Sequence, residues 1–145
     1  MSMSSSRSKG FTLLELMIVL VVMAILAMIA FTSYTHYAFR ARRTDGQKQL
    51  MAIGNAEERY YALHNVYADL ATIGYSNTAT ATSDSGYYTS TVAVAAVNTL
   101  PAQAFTATAT PVATNSQARD ACAALTLTNT GVKGQSGTTS NGSCW

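Results

Sequence analysis

Apolar and polar positions divide this chain into stretches with different periods. From Phe11 to Phe31 nearly every position is apolar, thirteen of them Leu, Ile, Val or Phe, and Glu15 is the one charge. About twenty such residues in a helix cover the roughly 30 Å hydrocarbon thickness of a bilayer. Each Leu, Ile, Val or Phe favours insertion by about 0.3 to 0.6 kcal/mol, against about 3 kcal/mol for a central acidic residue. The run is therefore expected to enter a membrane and carry Glu15 with it. A carboxylate there needs a partner or a function.

Beyond the run a helical pattern continues without proline from Tyr34 to about His64. It predicts one helix of roughly 54 residues and about 80 Å, longer than any small domain. In its second half Leu50, Ile53, Glu57, Tyr60 or Tyr61 and His64 recur at helical steps, and the apolar members would face a covering sheet. Gly46 and Gly54 each weaken a helix by roughly 1 kcal/mol relative to Ala and mark soft points or close packing. Asn65 to Ser85 reads as a polar loop with its own packing residues Tyr67, Leu70, Ile73 and Tyr75. Strands are expected at Tyr87 to Val97, Gln103 to Thr110 and Ala121 to Thr128. Leu100-Pro101 and Thr110-Pro111 bound the second, and Asn129-Thr130-Gly131 ends the third. One amphipathic helix laid on antiparallel strands is a two-layer α+β head. The expected division is a leader at 1–10, a membrane helix at 11–33, an amphipathic helix at 34–64 and a head at 65–145. Within the head the divisions are a loop at 65–86, a sheet at 87–128 and a Cys-bounded loop at 122–144.

The first ten residues, MSMSSSRSKG, are polar and carry Arg7 and Lys9, as a charged leader does. A conventional secretory signal fits poorly, because the apolar stretch exceeds the usual length and lacks a small-x-small cleavage site. The remaining small residue is Gly10, and a cut there would leave a chain starting at Phe11, with a free amine four residues before Glu15. The two cysteines, Cys122 and Cys144, fall short of the four ligands zinc prefers. A disulfide is expected over two buried thiols, as suits an exported domain. Such a loop contributes roughly 3 kcal/mol on a chain-entropy argument.

The segment Lys9-Gly10-Phe11-Thr12-Leu13-Leu14-Glu15-Leu16 resembles the precursors of type IV pilins. The resemblance implies that a prepilin peptidase cuts after Gly10 and methylates the Phe11 amine. Glu15 would then pair with the Phe11 amine of a neighbouring subunit. Charge matching of this kind sets register, since a carboxylate buried in apolar packing is costly unless paired. RRTDGQKQLMAIGNAEERYY (Arg42 to Tyr61) and DACAALTLTNTGVKG with the final Cys144-Trp145 are similar to the PilE-type branch of type IVa pilins, often minor pilins. The implied fold is the pilin fold with a disulfide-bounded C-terminal loop. The implied role is a filament subunit serving adhesion, twitching motility or DNA uptake, without cofactor. Implied partners are other pilin subunits, the peptidase and the inner-membrane assembly machinery. The precursor would span the inner membrane once with its head periplasmic, then join an extracellular pilus. One departure is Phe31-Thr32-Ser33-Tyr34, where many pilins have a proline. Without it a kink loses its usual cause, though Ser and Thr can bend a helix by bonding back to a carbonyl.

Charge refines this picture. Arg40, Arg42, Arg43, Asp45 and Lys48 form a band after the apolar run. It suits contacts between subunits or simple solvation, and secondarily lipid headgroups or nucleic acid. By the positive-inside rule the band would hold the C-terminal part in the cytoplasm, whereas the cysteines favour export. After Arg59 the only cations are Arg119 and Lys133, which argues for weak DNA binding by one copy. Repetition along a fibre would raise avidity. A calcium-loop pseudopilin is disfavoured, because Asp120 is the sole carboxylate after Asp84. No catalysis or metal site is expected. His36 and His64 have no nucleophile at readable spacing, and Glu57 and Glu58 point about 100° apart on a helix. Those two glutamates are expected to be solvated or paired with Arg59 or another subunit.

Overall fold

The computed structural model describes residues 10–98 and 100–145, the side chains of 32 and 33 excepted. The leader positions Arg7 and Lys9 and the hydroxyls of Thr32 and Ser33 lie outside what is described. Helix α1 runs Leu13–His64, 52 residues. Thr12 opens it, its Oγ1 accepting the Glu15 N–H at 3.2 Å, one leg of the capping box that Thr-x-x-Glu encodes. Asn65 closes it with a left-handed φ of 56°, its N–H returning to the Tyr61 carbonyl at 2.7 Å. With no proline at 31–34, the helix assignment continues through those positions.

The chain divides into two compact units, one up to Thr35 and one from His36 to Trp145. In the first, Leu13 to Phe31 are exposed and, Glu15 apart, apolar on all sides of the helix. It is long and apolar enough to cross a membrane, with a mean hydropathy of 2.9 over 18 residues. The second unit holds every residue of the core, its polar members included, from Arg43 to Cys144. It also holds the disulfide, and is therefore a domain with a core of its own.

That domain is α1 from His36 onward packed on a five-stranded antiparallel meander, β1 to β5 in chain order. The strands are β1 Thr80–Thr82, β2 Tyr88–Val97, β3 Leu100–Pro111, β4 Leu125–Thr128 and β5 Lys133–Gln135. The expected alternation holds, with Phe105, Ala107 and Ala109 of β3 and Leu125 and Leu127 of β4 turned into the core. Leu50 and Ile53 meet them from the helix. Both helical glycines mark close packing. A Cβ at Gly46 would stand 3.0 Å from the Tyr88 ring, and one at Gly54 would stand 3.3 Å from Leu127.

The strand boundaries shift for identifiable reasons. β3 extends over both prolines, which sit near its ends where a missing donor costs least. β4 begins only at Leu125, because Ala121 and Cys122 form a turn and Ala123 is left-handed at φ 51°. β1 and β5 were not expected. Each has three residues and no apolar alternation, and each is a strand only by pairing with its neighbour. Cys122 and Cys144 form a disulfide with Cα atoms 5.7 Å apart.

Candidate functional site

Two places bear on function. Just ahead of α1 Gly10 and Phe11 are exposed and outside the helix, and Glu15 is exposed on its first turn. Thr12 joins them as the cap. The signal for it is Thr three residues before Glu at the head of an apolar run.

The charged band is the second place, and the helix divides it. Arg43 points inward and is 1% exposed. Its Nε and Nη2 donate to the two carboxylate oxygens of Asp120, each at 2.6 Å. Its Nη1 donates to the carbonyls of Asn141 at 3.0 Å and Ser143 at 2.8 Å. Asp120 caps the C-terminal end of a short 3-10 turn, Ser116–Arg119, and also accepts from Gln117 Nε2 at 3.0 Å. Gln117 Nε2 in turn reaches the Tyr88 hydroxyl at 3.0 Å. Burial is the main cause that pushes the Tyr88 hydroxyl up to about 12, with Asp120 adding to it. The expectation that Arg43 contacts another subunit is therefore corrected, since its helix position places it under the C-terminal loop. Such a bidentate, fully bonded arginine offsets its desolvation; an unpartnered one would not.

Asp45 also turns to its own chain, accepting the Ser85 N–H at 3.2 Å. Arg42 lies at the surface, where Nη1 donates to Ser116 Oγ at 2.5 Å and the guanidinium sits 4.9 Å from the centre of the Tyr87 ring. Arg119, three residues after Ser116, is exposed on the same 3-10 turn. Arg40 is exposed beside Gly142. Arg42 and Arg119 thus lie at the 3-10 turn and Arg40 beside the C-terminal loop, an arrangement that no run of adjacent residues spells out. Lys48 and Lys133 flank a separate groove that also includes Met51 and Trp145. The Lys133 ammonium lies 5.1 Å from the indole centre.

Glu57 departs from its expected solvated place. It is fully buried. Its Oε2 accepts the Ala68 N–H at 3.2 Å, while Oε1 has no hydrogen-bond partner. Burial raises its carboxyl to about 7, the Ala68 N–H opposing and Glu58 and Asp69 adding to the rise. His64 stacks on Tyr60 at the helix end, with centroids 4.2 Å apart. Tyr61 packs on Tyr67 at 4.5 Å and donates to Gln103 at 2.9 Å.

Comparison with known proteins bears on both places. The model of a family described as type IV minor pilin ComP, DNA uptake sequence receptor, matches residues 32–126. That of the prokaryotic N-terminal methylation motif matches residues 5–31. Among solved structures the chain resembles the non-core minor pilin PilV of Neisseria meningitidis, at 22% identity and a TM-score of 0.50. The match covers 74% of this chain and 94% of that one. It also resembles a type IV pilin from Shewanella oneidensis, at 25% identity and a TM-score of 0.49, covering 74% of this chain and 97% of that one. No curated protein matches it.

Proposed function

The chain belongs to the type IV minor pilin family whose model spans residues 32–126, and from that premise we propose a filament subunit whose head receives DNA. The observation that carries the receptor reading is the span of that match. It takes in Arg40, Arg42 and Arg119 together with the 3-10 turn Ser116–Arg119. Three guanidiniums, that of Arg42 beside the Tyr87 ring, suit phosphate contacts with an aromatic neighbour. With about three phosphates neutralised, affinity should fall about fortyfold between 50 and 200 mM salt. This is a modest electrostatic footprint, in keeping with two cations beyond Arg59.

Assembly is the other half of the proposal. The methylation-motif match across Gly10, Phe11 and Glu15 supports cleavage after Gly10 and methylation of the Phe11 amine. The apolar helix then anchors the stored precursor in the inner membrane, head outward, and later packs among its copies in the pilus. Glu15 aligns each incoming subunit by pairing with a neighbour's Phe11 amine. The geometry of the head favours neither adhesion nor twitching as a role of its own.

The test is a DNA retardation assay on the His36–Trp145 domain at 50 and 200 mM salt, beside a variant with Arg42→Ala and Arg119→Ala. The reading expects binding at the lower salt that weakens at the higher one and in the variant. No retardation at 50 mM salt would remove the receptor role. Intact mass of subunits from sheared filaments tests the assembly half. A chain of Phe11 to Trp145 plus one methyl supports it, and an uncut chain confined to the inner membrane defeats it.

A further inference from the structure

Glu57 is a fully buried carboxyl that neither assembly nor DNA binding uses. It stands where α1 meets the segment that follows it, residues 65–76. Few hydrogen bonds tie that segment to the rest of the domain, among them Gln103 Nε2 donating to the Asn65 carbonyl at 2.9 Å. Glu57 Oε2 takes the Ala68 N–H at 3.2 Å, and the Tyr67 N–H donates to the Ala102 carbonyl at 2.8 Å. The Tyr67 hydroxyl reaches Glu58 at 3.1 Å. The apolar anchors are Leu70, fully buried in the core, and Tyr67, whose ring meets Tyr61 and Phe105, with Ile73 and Tyr75 packed against that core.

The charged groups acting on Glu57 are Glu58 from the helix and Asp69 from the segment, and both are negative. Tyr67, the segment's other titratable neighbour, bonds Glu58. Arg59, the cation next to it in sequence, is exposed and forms no ion pair with it. A neutral carboxyl in this place leaves one oxygen without a partner, a moderate cost. An ionised one would leave a full charge there with a single N–H donor, a far larger cost that is relieved only by reaching water.

We propose that Glu57 is a proton-operated clasp, holding residues 65–76 against the helix while protonated and releasing them when it ionises. Release exposes Glu57 and Ala68 and frees the face that carries Tyr67 and Asp69, leaving the strands paired. The clasp stands apart from the receptor and assembly readings, since it concerns only groups within the head.

The direction follows from linkage. The closed segment holds Glu57 with a carboxyl near 7, and the open one leaves it near 4.5, so the closed form binds the proton more tightly. Closure is complete below about 4.5 and weakens as pH rises to about 7. From these two values the opening equilibrium should rise roughly thirtyfold between pH 5.5 and 8.5.

Hydrogen exchange of the full chain in detergent micelles, corrected for the intrinsic pH dependence of exchange, reads this directly. The expected result is a loss of protection of about that size at Ala68, Ile73, Tyr75 and Ser76, with β3 and β4 amides unchanged. Glu57→Gln, which keeps the shape and cannot ionise, should hold the segment closed at both pH values. Asp69→Asn should shrink the pH-driven opening, because a neutral neighbour lets Glu57 ionise more readily while the segment stays closed, and this reading stands even where Glu57→Gln fails to fold. Equal protection at the two pH values in the wild type overturns the clasp. So does a pH dependence that survives Glu57→Gln, or an Asp69→Asn profile that superposes on the wild type.

Discussion

Helix α1 follows two different rules along its length. Up to Thr35 its apolar residues point in every direction and stand exposed, and the informative position is the charge among them, Glu15. From His36 onward the residues sort by side. Arg43, Gln49, Leu50, Ile53 and Glu57 are buried, while Lys48, Met51, Asn55 and Arg59 remain in solvent. The first stretch is written for a surrounding of uniform polarity, lipid or packed helices, where no side is preferred. The second is written for one partner, the sheet. A polar residue therefore carries a different message in each, an unmet partner in the first and an internal bond in the second.

Four changes test that contrast. The largest effect belongs to the first stretch, where Glu15→Val should abolish recovery of the subunit in sheared filaments while the head keeps its melting temperature. Recovery at the wild-type level would mean that the carboxylate does not guide assembly. In the head the largest expected loss is from Arg43→Met, which leaves Asp120 buried without its partner. Denaturant unfolding should show about 3 to 5 kcal/mol of destabilisation. A loss under about 1 kcal/mol would mean that water replaces the guanidinium.

A matched pair of leucines comes next. Leu127→Ala removes a core side chain and should cost the head about 2 to 5 kcal/mol, whereas Leu20→Ala should leave head unfolding unchanged. Equal effects would mean that the two stretches are not independent in stability. Smallest is the pH dependence of head stability. Glu57 has a raised carboxyl, so its contribution is fully present below about 4.5 and is lost as pH rises to about 7. The loss amounts to at most about 3 kcal/mol. Glu57→Gln should flatten that slope, and a slope unchanged by the substitution would assign it to another group.

Much of this was legible in the chain. The apolar run, the long helix, the packing stripe of Leu50 and Ile53, the Leu125 and Leu127 alternation and the cysteine pair all rest on period or on pairing within a short list. The placement of the surface arginines was not. Arg42 and Ser116 are 74 positions apart, and their contact depends on where the 3-10 turn docks. The two end strands were also hidden, since three residues, Thr-Ala-Thr or Lys-Gly-Gln, are too few to show a period and become strands only when a neighbour offers a ladder.

The charged band divides along the same line. That Arg40, Arg42, Arg43, Asp45 and Lys48 share one helix was readable from their order, because helical period is a local property of the backbone. Which of them turns inward was decided by the sheet and the C-terminal loop, which bring Asp120 and two carbonyls to Arg43. Glu57 has the same lesson with the opposite result. Its neighbours in sequence include a cation, yet packing surrounds it with carboxylates and one N–H. Sequence by itself determined the helix and the three inner strands, the membrane-length run and the family motif around Glu15. Only the tertiary structure decided which charges are satisfied, because burial and the distance between groups remote in sequence set the energy of a charge, and neither is written in local order.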